Sequence, residues 1–157
     1  MRKEEIKIGV AVYDSLEELS SDDKLLVVKA KEATVSSYSP YSNFMVGTAV
    51  LLDNGEVIIA GNQENVSYPA GLCAERVALF YAGARHPNVG VKAIAIAAQT
   101  NGKFCEHPVY PCGACRQVML ETEMRTKHPM KVIMAGEKEV KVVDGVKDLM
   151  PFSFDSF

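Results

Sequence analysis

Cys73-Ala74-Glu75 and Pro111-Cys112-Gly113-Ala114-Cys115 are the two stretches that decide the fold of this sequence, and the second begins 36 residues after Glu75. Three thiolates can occupy three of the four tetrahedral positions around a zinc ion and leave the fourth open for water. A glutamate two residues after the first cysteine can carry protons to and from that water without binding the metal. The pairing predicts one Zn²⁺ bound by Cys73, Cys112 and Cys115, with Glu75 as the catalytic proton carrier.

Both cysteine motifs are predicted to lie at the start of helices. Cys112 and Cys115 are three residues apart, so their sulfurs face the same side of a first helical turn. Glu75 cannot share a helix face with Cys73, because two residues correspond to about 200° of rotation. We therefore expect Cys73 at the helix cap and Glu75 inside the first turn. The positive helix ends should lower the pKa of the thiols and favour the metal-bound form.

The predicted zinc site has an excess of negative charge. Three thiolates and one Zn²⁺ sum to about −1, which makes the metal a weaker Lewis acid than it would be in a neutral site. Arg76 and Arg116 each follow directly after a predicted functional residue. We expect both to donate hydrogen bonds to the sulfurs from just outside the ligand set and to offset this charge.

Length and composition predict a small globular protein. The chain has 157 residues, of which 48% are hydrophobic and 24% charged, and its longest apolar runs are too short to cross a membrane. Acidic residues stand where a signal peptide would have its apolar core, so we expect a cytoplasmic location. A net charge of −3 without a dense Lys/Arg stripe argues against nucleic acid as a partner.

The hydrophobic pattern predicts alternating strands and helices. A hydroxyl cap at Ser20 and Ser21 precedes two acids and an apolar pattern at Leu25, Leu26, Val28 and Ala33, which is typical of a helix start. The other predicted elements are a strand over 6–12, a hairpin of 45–52 and 56–60 around Asp53-Asn54-Gly55, a helix over 72–84 with apolar Val77, Ala78, Phe80 and Tyr81, a central strand over 91–98, a helix from Pro111 to Met124, strands over 131–135 and 140–143, and a turn over 146–150.

This order predicts an α/β fold with one mixed sheet and helices on its faces. We find no linker, internal repeat or low-complexity segment. We therefore expect a single domain over 1–157, in which 1–20 form an N-terminal strand extension and 21–157 form the catalytic core.

Other interpretations of the cysteines stay open at this point. Cys105 could be the fourth ligand of a purely structural zinc site. Cys112 and Cys115 could form a redox pair, although Cys73-x-Glu75 would then have no explanation. The three histidines each neighbour a proline in loop-like sequence, and we interpret them as surface residues: His86, His107 and His128.

Zinc enzymes that deaminate nucleobases need the arrangement described above, with three cysteines in place of one histidine and two cysteines. On this basis the chain resembles the cytidine deaminases, in their small homotetrameric class with three cysteine ligands. The resemblance spans nearly the whole chain beyond residue 20. It rests on Pro40-Tyr41-Ser42-Asn43-Phe44-x-Val46-Gly47, Gly61-Asn62-Gln63-Glu64-Asn65, Cys73-Ala74-Glu75-Arg76, Pro111-Cys112-Gly113-Ala114-Cys115-Arg116-Gln117-Val118 and Asp148-Leu149-Met150-Pro151-x-x-Phe154.

The resemblance implies a three-layer α/β/α sandwich, with a mixed five-stranded sheet between helices and an active site completed by neighbouring subunits of a homotetramer. By matching position, Asn62 and Glu64 would hold the ribose, Phe44 would pack on the pyrimidine, and the backbone around Ala74 would contact the ring edge. Tyr68 and Phe154 would reach a neighbour's site. Without the resemblance, core packing would explain Phe44, and turn chemistry would explain Asn62 and Glu64.

The implied activity is zinc-dependent hydrolytic deamination of cytidine and deoxycytidine to uridine and deoxyuridine, a step of pyrimidine salvage, with no nucleic-acid or membrane partner. Glu75 would carry protons to the ring nitrogen and to the departing amine. Tyr110 stands where the family often has Ser or Thr, but the family uses the backbone carbonyl there, so we expect function to survive. A deaminase of a related aminopyrimidine such as blasticidin S is the alternative.

Overall fold

The structure is a computed structural model, and it describes residues 1–156. Phe157, which the sequence places with Phe152 and Phe154 in an aromatic tail, lies outside the described residues. Within 1–156, no helix combines the length and the apolar character needed to cross a bilayer. The helices are α1 (Ser21–Ala33), α2 (Ala74–Arg85) and α3 (Gly113–Thr126), and the strands are β1 (Ala11–Tyr13), β2 (Phe44–Leu52), β3 (Val57–Gly61), β4 (Val91–Thr100), β5 (Lys103–Phe104), β6 (Lys131–Ala135) and β7 (Val140–Val143).

The seven strands form one mixed sheet in the order β1-β7-β6-β4-β2-β3, with β5 paired to the end of β4. Strands β4 and β6 are parallel, and the other pairs are antiparallel. Strand β4 is central because its residues over 91–98 are apolar on both faces, except for Lys92. The five strands that the resemblance implied are all present, β1 corresponds to the predicted N-terminal strand, and only the two-residue β5 was not predicted.

Helices cover both faces of the sheet, which confirms the predicted three-layer α/β/α architecture. Helix α1 packs on one face through a cluster that contains Leu26, Val27 and Ala30 together with alternate residues of β4 and β6. Helices α2 and α3 pack on the other face through Ala78, Leu79, Ala82, Met119 and Leu120. The sheet thus carries α2 and α3 side by side, with their N-termini available to one site.

Helix α1 begins as predicted but buries a different stripe of residues. The Ser20 side chain caps it by accepting a hydrogen bond of 3.2 Å from the Asp23 backbone N–H. Leu25 and Val28, which were predicted on the apolar face, are exposed, whereas Val27 and Ala30 are fully buried. Alanine contributes little to a hydrophobic pattern, so the sequence alone did not reveal that Ala30 packs against the sheet.

The aromatic residues of α2 also differ from the prediction. Phe80 and Tyr81 were predicted on the apolar face, but their side chains are 51% and 56% exposed. The buried stripe of α2 consists of Ala74, Glu75, Ala78, Leu79 and Ala82, which recur at helical spacing. Two large aromatic side chains are therefore left on the outer surface of this chain.

The predicted N-terminal strand is shorter than expected. Only Ala11–Tyr13 is a strand, and the residues before it lie outside any helix or strand. Val12 lies opposite Lys141 of β7, and β7 ends at Val143. A strand that continued toward Ile6 would have no hydrogen-bonding partner beyond that point, which explains why the alternating apolar pattern over 6–12 did not produce a longer strand.

Candidate active site

Three cysteine sulfurs meet at the N-termini of α2 and α3. Cys73 is the N-cap residue of α2, Cys112 is the N-cap residue of α3, and Cys115 lies in the first turn of α3. The Sγ atoms of Cys73 and Cys112 are 4.0 Å apart, and those of Cys112 and Cys115 are 3.4 Å apart. Pro111 was predicted to open α3, but it lies just outside the helix.

The geometry of this cluster fits a zinc ion. A tetrahedral site with Zn–S bonds of about 2.3 Å places neighbouring sulfurs about 3.8 Å apart, close to the separations observed. The three ligand atoms lie within 4.8 Å of one another, and Cys105 is not part of the cluster among the residues that the structure describes. The alternative of a four-cysteine structural site with Cys105 is therefore not supported.

The electrostatics of the cluster also favour a divalent cation. A hydrogen bond with Cys115, helped by the nearby Arg76, lowers the pKa of the Cys73 thiol to about 5. The same hydrogen bond, together with burial, raises the pKa of the Cys115 thiol far above its ordinary value. Two adjacent thiolates repel each other, and a bound Zn²⁺ would remove this conflict by stabilising both.

Glu75 reaches the cluster from the first turn of α2. Its side chain is almost fully buried, with 4% of its surface exposed. Burial raises the pKa of the Glu75 carboxyl, and the charge of Cys73 adds to this rise. A carboxyl group whose pKa lies above its usual range is suited to accept a proton and to return it. Cys73 at the cap with Glu75 in the first turn is the arrangement that the helix geometry predicted.

The two arginines next to the cluster have different partners. The Arg76 Nη2 atom lies 3.9 Å from the Cys73 Sγ atom and 3.4 Å from the Gly71 carbonyl oxygen. Arg116 was also predicted to donate to a sulfur, and this prediction is wrong. Its guanidinium group donates instead to the carbonyl oxygens of Pro111 and Leu149, at 2.9 and 2.8 Å. Arg116 lies one position after Cys115, which is about 100° around the helix axis.

An open cleft of about 300 Å³ lies next to the cluster. Five residues that the sequence predicted for the site line it, and these are Asn62, Glu64, Tyr68, Cys73 and Arg76. The structure thus brings the predicted metal ligand Cys73 and the predicted ribose-binding pair to one cavity, although Glu64 and Cys73 are nine positions apart in the sequence.

Asn62 is fixed by hydrogen bonds to its neighbours. Its Oδ1 atom accepts from the Val46 backbone N–H at 2.8 Å and from the Ser37 hydroxyl at 2.5 Å, while its Nδ2 atom donates to the Phe44 carbonyl at 3.1 Å. The Val46 N–H must face the side-chain oxygen of Asn62, and the Phe44 carbonyl must face its side-chain nitrogen. These two neighbours therefore determine the orientation of the Asn62 amide. One amide hydrogen remains for a ligand.

Glu64 is held in its ionised form by the loop that precedes β2. Its Oε2 atom accepts from the backbone N–H groups of Tyr41 and Ser42, at 2.8 and 3.3 Å. The Ser42 hydroxyl and the Tyr41 N–H lower the pKa of the Glu64 carboxyl below its usual value. A carboxylate that accepts hydrogen bonds suits the binding of hydroxyl groups.

The other predicted substrate-binding residues surround this cleft at different depths. Phe44 is half-buried at the start of β2 and joins the network through its carbonyl oxygen, and Ala74 is fully buried at the start of α2. Tyr68 is 77% exposed and forms an edge contact with Tyr41, with ring centroids 6.3 Å apart. The Phe154 carbonyl oxygen accepts a hydrogen bond of 2.9 Å from Gln117 of α3.

Sequence reasoning missed three supporting residues. Ser37 orients Asn62, Ser42 helps to ionise Glu64, and Gln117 attaches the C-terminal segment to α3. Ser42 and Gln117 lie inside the quoted motifs, which was the available signal for them. Ser37 had none, because its contact with Asn62 joins residues 25 positions apart.

Comparison with known proteins agrees with this site. Residues 20–130 match the family model described as the cytidine and deoxycytidylate deaminase zinc-binding region. The chain belongs to this deaminase family. It is 47% identical over 102 residues to a cytidine deaminase of Halalkalibacterium halodurans, a match that covers 64% of this chain and 71% of the relative. It is 38% identical over 120 residues to a cytidine deaminase of Mycobacterium tuberculosis, covering 74% and 85% of the two chains.

A solved structure of a cytidine deaminase is similar to most of this chain. The crystal structure of a cytidine deaminase from Burkholderia pseudomallei matches with a TM-score of 0.71 and 39% identity. The match covers 87% of this chain and 100% of that one. The deaminase family match begins at residue 20, so most of the N-terminal extension, including β1, lies before it.

Proposed function

We propose that this protein is a zinc-dependent hydrolase that deaminates cytidine and deoxycytidine, releasing ammonia. The observation that carries the proposal is the meeting of three thiols, the buried carboxyl of Glu75 and the cleft that contains Asn62 and Glu64. Cys73, Cys112 and Cys115 would hold the metal. When bound, zinc supplies Lewis-acid activation of water.

Glu75 performs the proton transfers in this proposal. It takes a proton from the attacking water and delivers it to the ring nitrogen beside the target carbon, which makes that carbon electrophilic. It then takes a second proton from the hydroxyl group now bonded to the target carbon and delivers it to the exocyclic amine. The C–N bond breaks, ammonia leaves, and the carbonyl of the product forms. The raised pKa of its buried carboxyl supports this role, because the group must be able to exist in both protonation states.

The cleft favours an unmodified nucleoside over the blasticidin-type alternative. The remaining amide hydrogen of Asn62 and the ionised carboxylate of Glu64 suit the hydroxyl groups of a ribose. A phosphate beside Glu64 would be repelled by this carboxylate. Phe44 would pack on the base and the Ala74 backbone would contact its edge, as the resemblance implies.

The proposal also includes the assembly, the location and the domain boundaries of the protein. A homotetramer would cover the exposed aromatic residues Tyr68, Phe80 and Tyr81 and bring Tyr68 and Phe154 to neighbouring sites. A cytoplasmic location would keep the ligand thiols reduced. Residues 21–157 would form the catalytic core of a single domain, and 1–20 an extension that adds β1 to the edge of the sheet.

The test is a spectrophotometric assay of cytidine, deoxycytidine and cytidine monophosphate, with the zinc content measured on the same sample. We expect one zinc per chain, turnover of both nucleosides and little turnover of the nucleotide. Cys73→Ala should lose the metal together with stability, because metal binding contributes to folding. Comparable turnover of the nucleotide and the nucleoside would show that the substrate assignment is wrong.

A further inference from the structure

We propose that Arg116 is a positioning residue that holds the Cys112 turn in place through backbone carbonyl groups. Its role would then depend on the shape of its guanidinium group and not on compensation of the thiolate charge. This inference rests on the proposed assignment of Cys112 as a zinc ligand.

The Cys112 turn lies between two buried residues, Pro111 and Cys115, but its outer side is not packed against the protein. Cys112 is exposed and its side chain makes no capping hydrogen bond to α3. A methyl group added at Gly113 would meet no heavy atom within 4 Å, and Ala114 is exposed. Packing therefore does not restrain this turn from the solvent side, where hydrogen bonds are the remaining restraint.

Arg116 bonds to the peptide groups on both sides of Cys112. Its Nε atom donates to the Pro111 carbonyl at 2.9 Å, and its backbone N–H donates to the Cys112 carbonyl at 2.9 Å. These two carbonyls belong to the peptide units that flank the Cys112 Cα atom. Holding both units restricts the two backbone rotations that set the direction of the Cys112 side chain.

The far side of the guanidinium group is attached to a fixed part of the molecule. Its Nη1 atom donates to the Leu149 carbonyl at 2.8 Å. Leu149 packs against the core beside Val146, which is fully buried. The Val146 backbone N–H donates in turn to the Glu123 Oε1 atom at 3.0 Å. Arg116 thus connects the exposed ligand turn to a C-terminal turn that is anchored on α3.

The two side-chain hydrogen bonds, to the carbonyl oxygens of Pro111 and Leu149, need the planar fork of an arginine. Guanidinium presents its N–H groups in fixed directions, whereas the lysine ammonium group is a compact point charge. Lysine at position 116 would keep the charge but could not hold both carbonyls in this geometry. The conservative substitution therefore separates positioning from charge compensation.

The experiment measures how fast the holoenzyme releases zinc to an excess of the chromogenic chelator 4-(2-pyridylazo)resorcinol. We expect Arg116→Gln and Arg116→Lys to release zinc at least tenfold faster than the wild type, within the range of about 10–100-fold that supporting residues contribute to metal affinity. Arg85→Gln removes the same charge from an exposed position in the last turn of α2 and should release zinc at the wild-type rate. Circular dichroism and sedimentation verify that each variant is folded and assembled.

Two results would overturn the inference. Wild-type release from Arg116→Lys would mean that the charge is sufficient, and wild-type release from Arg116→Gln would mean that the residue does not restrain the turn. If Arg116→Gln does not fold, the zinc release rate of Arg116→Lys alone tests the inference. A failure of the ligand assignment is recognised separately, because the wild type would then lack zinc or Cys112→Ala would retain it.

Discussion

At the scale of single residues, the proposed proton transfers depend on the side chain of Glu75. Glu75→Gln keeps the shape of the side chain but cannot transfer protons. We expect normal zinc content and a loss of about 10²–10⁴-fold in kcat, the range typical of general acid–base catalysis. Steady-state kinetics with metal analysis on the same sample measures this. Glu121→Gln, at an exposed position of α3, is the matched control. Near wild-type kcat in Glu75→Gln would refute the proposed proton transfers.

The ionisation of Glu64 is a second property of a single residue. Its pKa is lowered in the folded protein by the Ser42 hydroxyl and the Tyr41 N–H. The stabilisation from these bonds is therefore present above the pKa of the unfolded chain and is lost as the pH falls through the lowered folded pKa. In ¹³C NMR titrations, we expect Ser42→Ala to raise the pKa of Glu64.

Ser39 provides the control for this titration. Its hydroxyl oxygen lies 3.2 Å from the hydroxyl oxygen of Ser37 and does not contact Glu64 in the described network. Ser39→Ala should leave the Glu64 titration as in the wild type. An unchanged Glu64 pKa in Ser42→Ala would mean that the backbone N–H groups alone hold the carboxylate.

At the scale of elements, the contact between β2 and α1 depends on a glycine. A Cβ atom added at Gly47 would lie 2.1 Å from the Ala30 carbonyl oxygen and 2.5 Å from the Thr34 backbone nitrogen. These are backbone atoms, so helix and strand would have to separate. We expect Gly47→Ala to lower the free energy of unfolding by about 3 kcal/mol, because forced overpacking costs this much.

Urea denaturation at one fixed protein concentration measures this change, since assembly makes stability depend on concentration. Gly9→Ala is the matched control, because its added methyl group would have only an ordinary contact of 3.9 Å with Asp148. If the two variants were equally stable, the close approach of α1 to β2 would not be a constraint on the fold.

At the scale of the whole molecule, the aromatic surface argues for assembly. Tyr68 and Phe152 are 77% and 93% exposed, so two large aromatic side chains are uncovered in the single chain. Truncation after Met150 removes Phe152 and Phe154 but keeps the Leu149 carbonyl that Arg116 holds. We expect activity to fall about tenfold, equivalent to about 1.4 kcal/mol, with little loss of zinc.

Analytical ultracentrifugation, activity and metal content of the truncated and full-length proteins test this expectation. The wild type should sediment as a tetramer at assay concentration. A monomer that turned over cytidine normally would contradict the proposed assembly. Equal losses of zinc and activity on truncation would mean that the tail stabilises its own chain instead of completing a neighbouring site.

The sequence by itself determined the features that depend on residues close together in the chain. Ser20 caps α1, Asn54-Gly55 turns the β2–β3 hairpin, and Cys112 and Cys115 share one helical turn. Strands β6 and β7 have the predicted bounds, because their apolar runs are short and clearly delimited. Local geometry follows from such patterns, since backbone preferences and helical spacing act over a few residues.

Tertiary structure alone decided which distant groups meet. It turned Arg116 toward Leu149 and away from the sulfurs, and it left Phe80 exposed. The paired motifs had already predicted that Cys73 and Cys112 share one metal, and the tertiary structure brings their Sγ atoms to 4.0 Å across 39 residues. It also limited β1 to the three residues that pair with β7. A sequence pattern specifies that a residue is apolar or charged but not which partner it meets, because long-range register depends on the combined packing of the whole sheet and its helices.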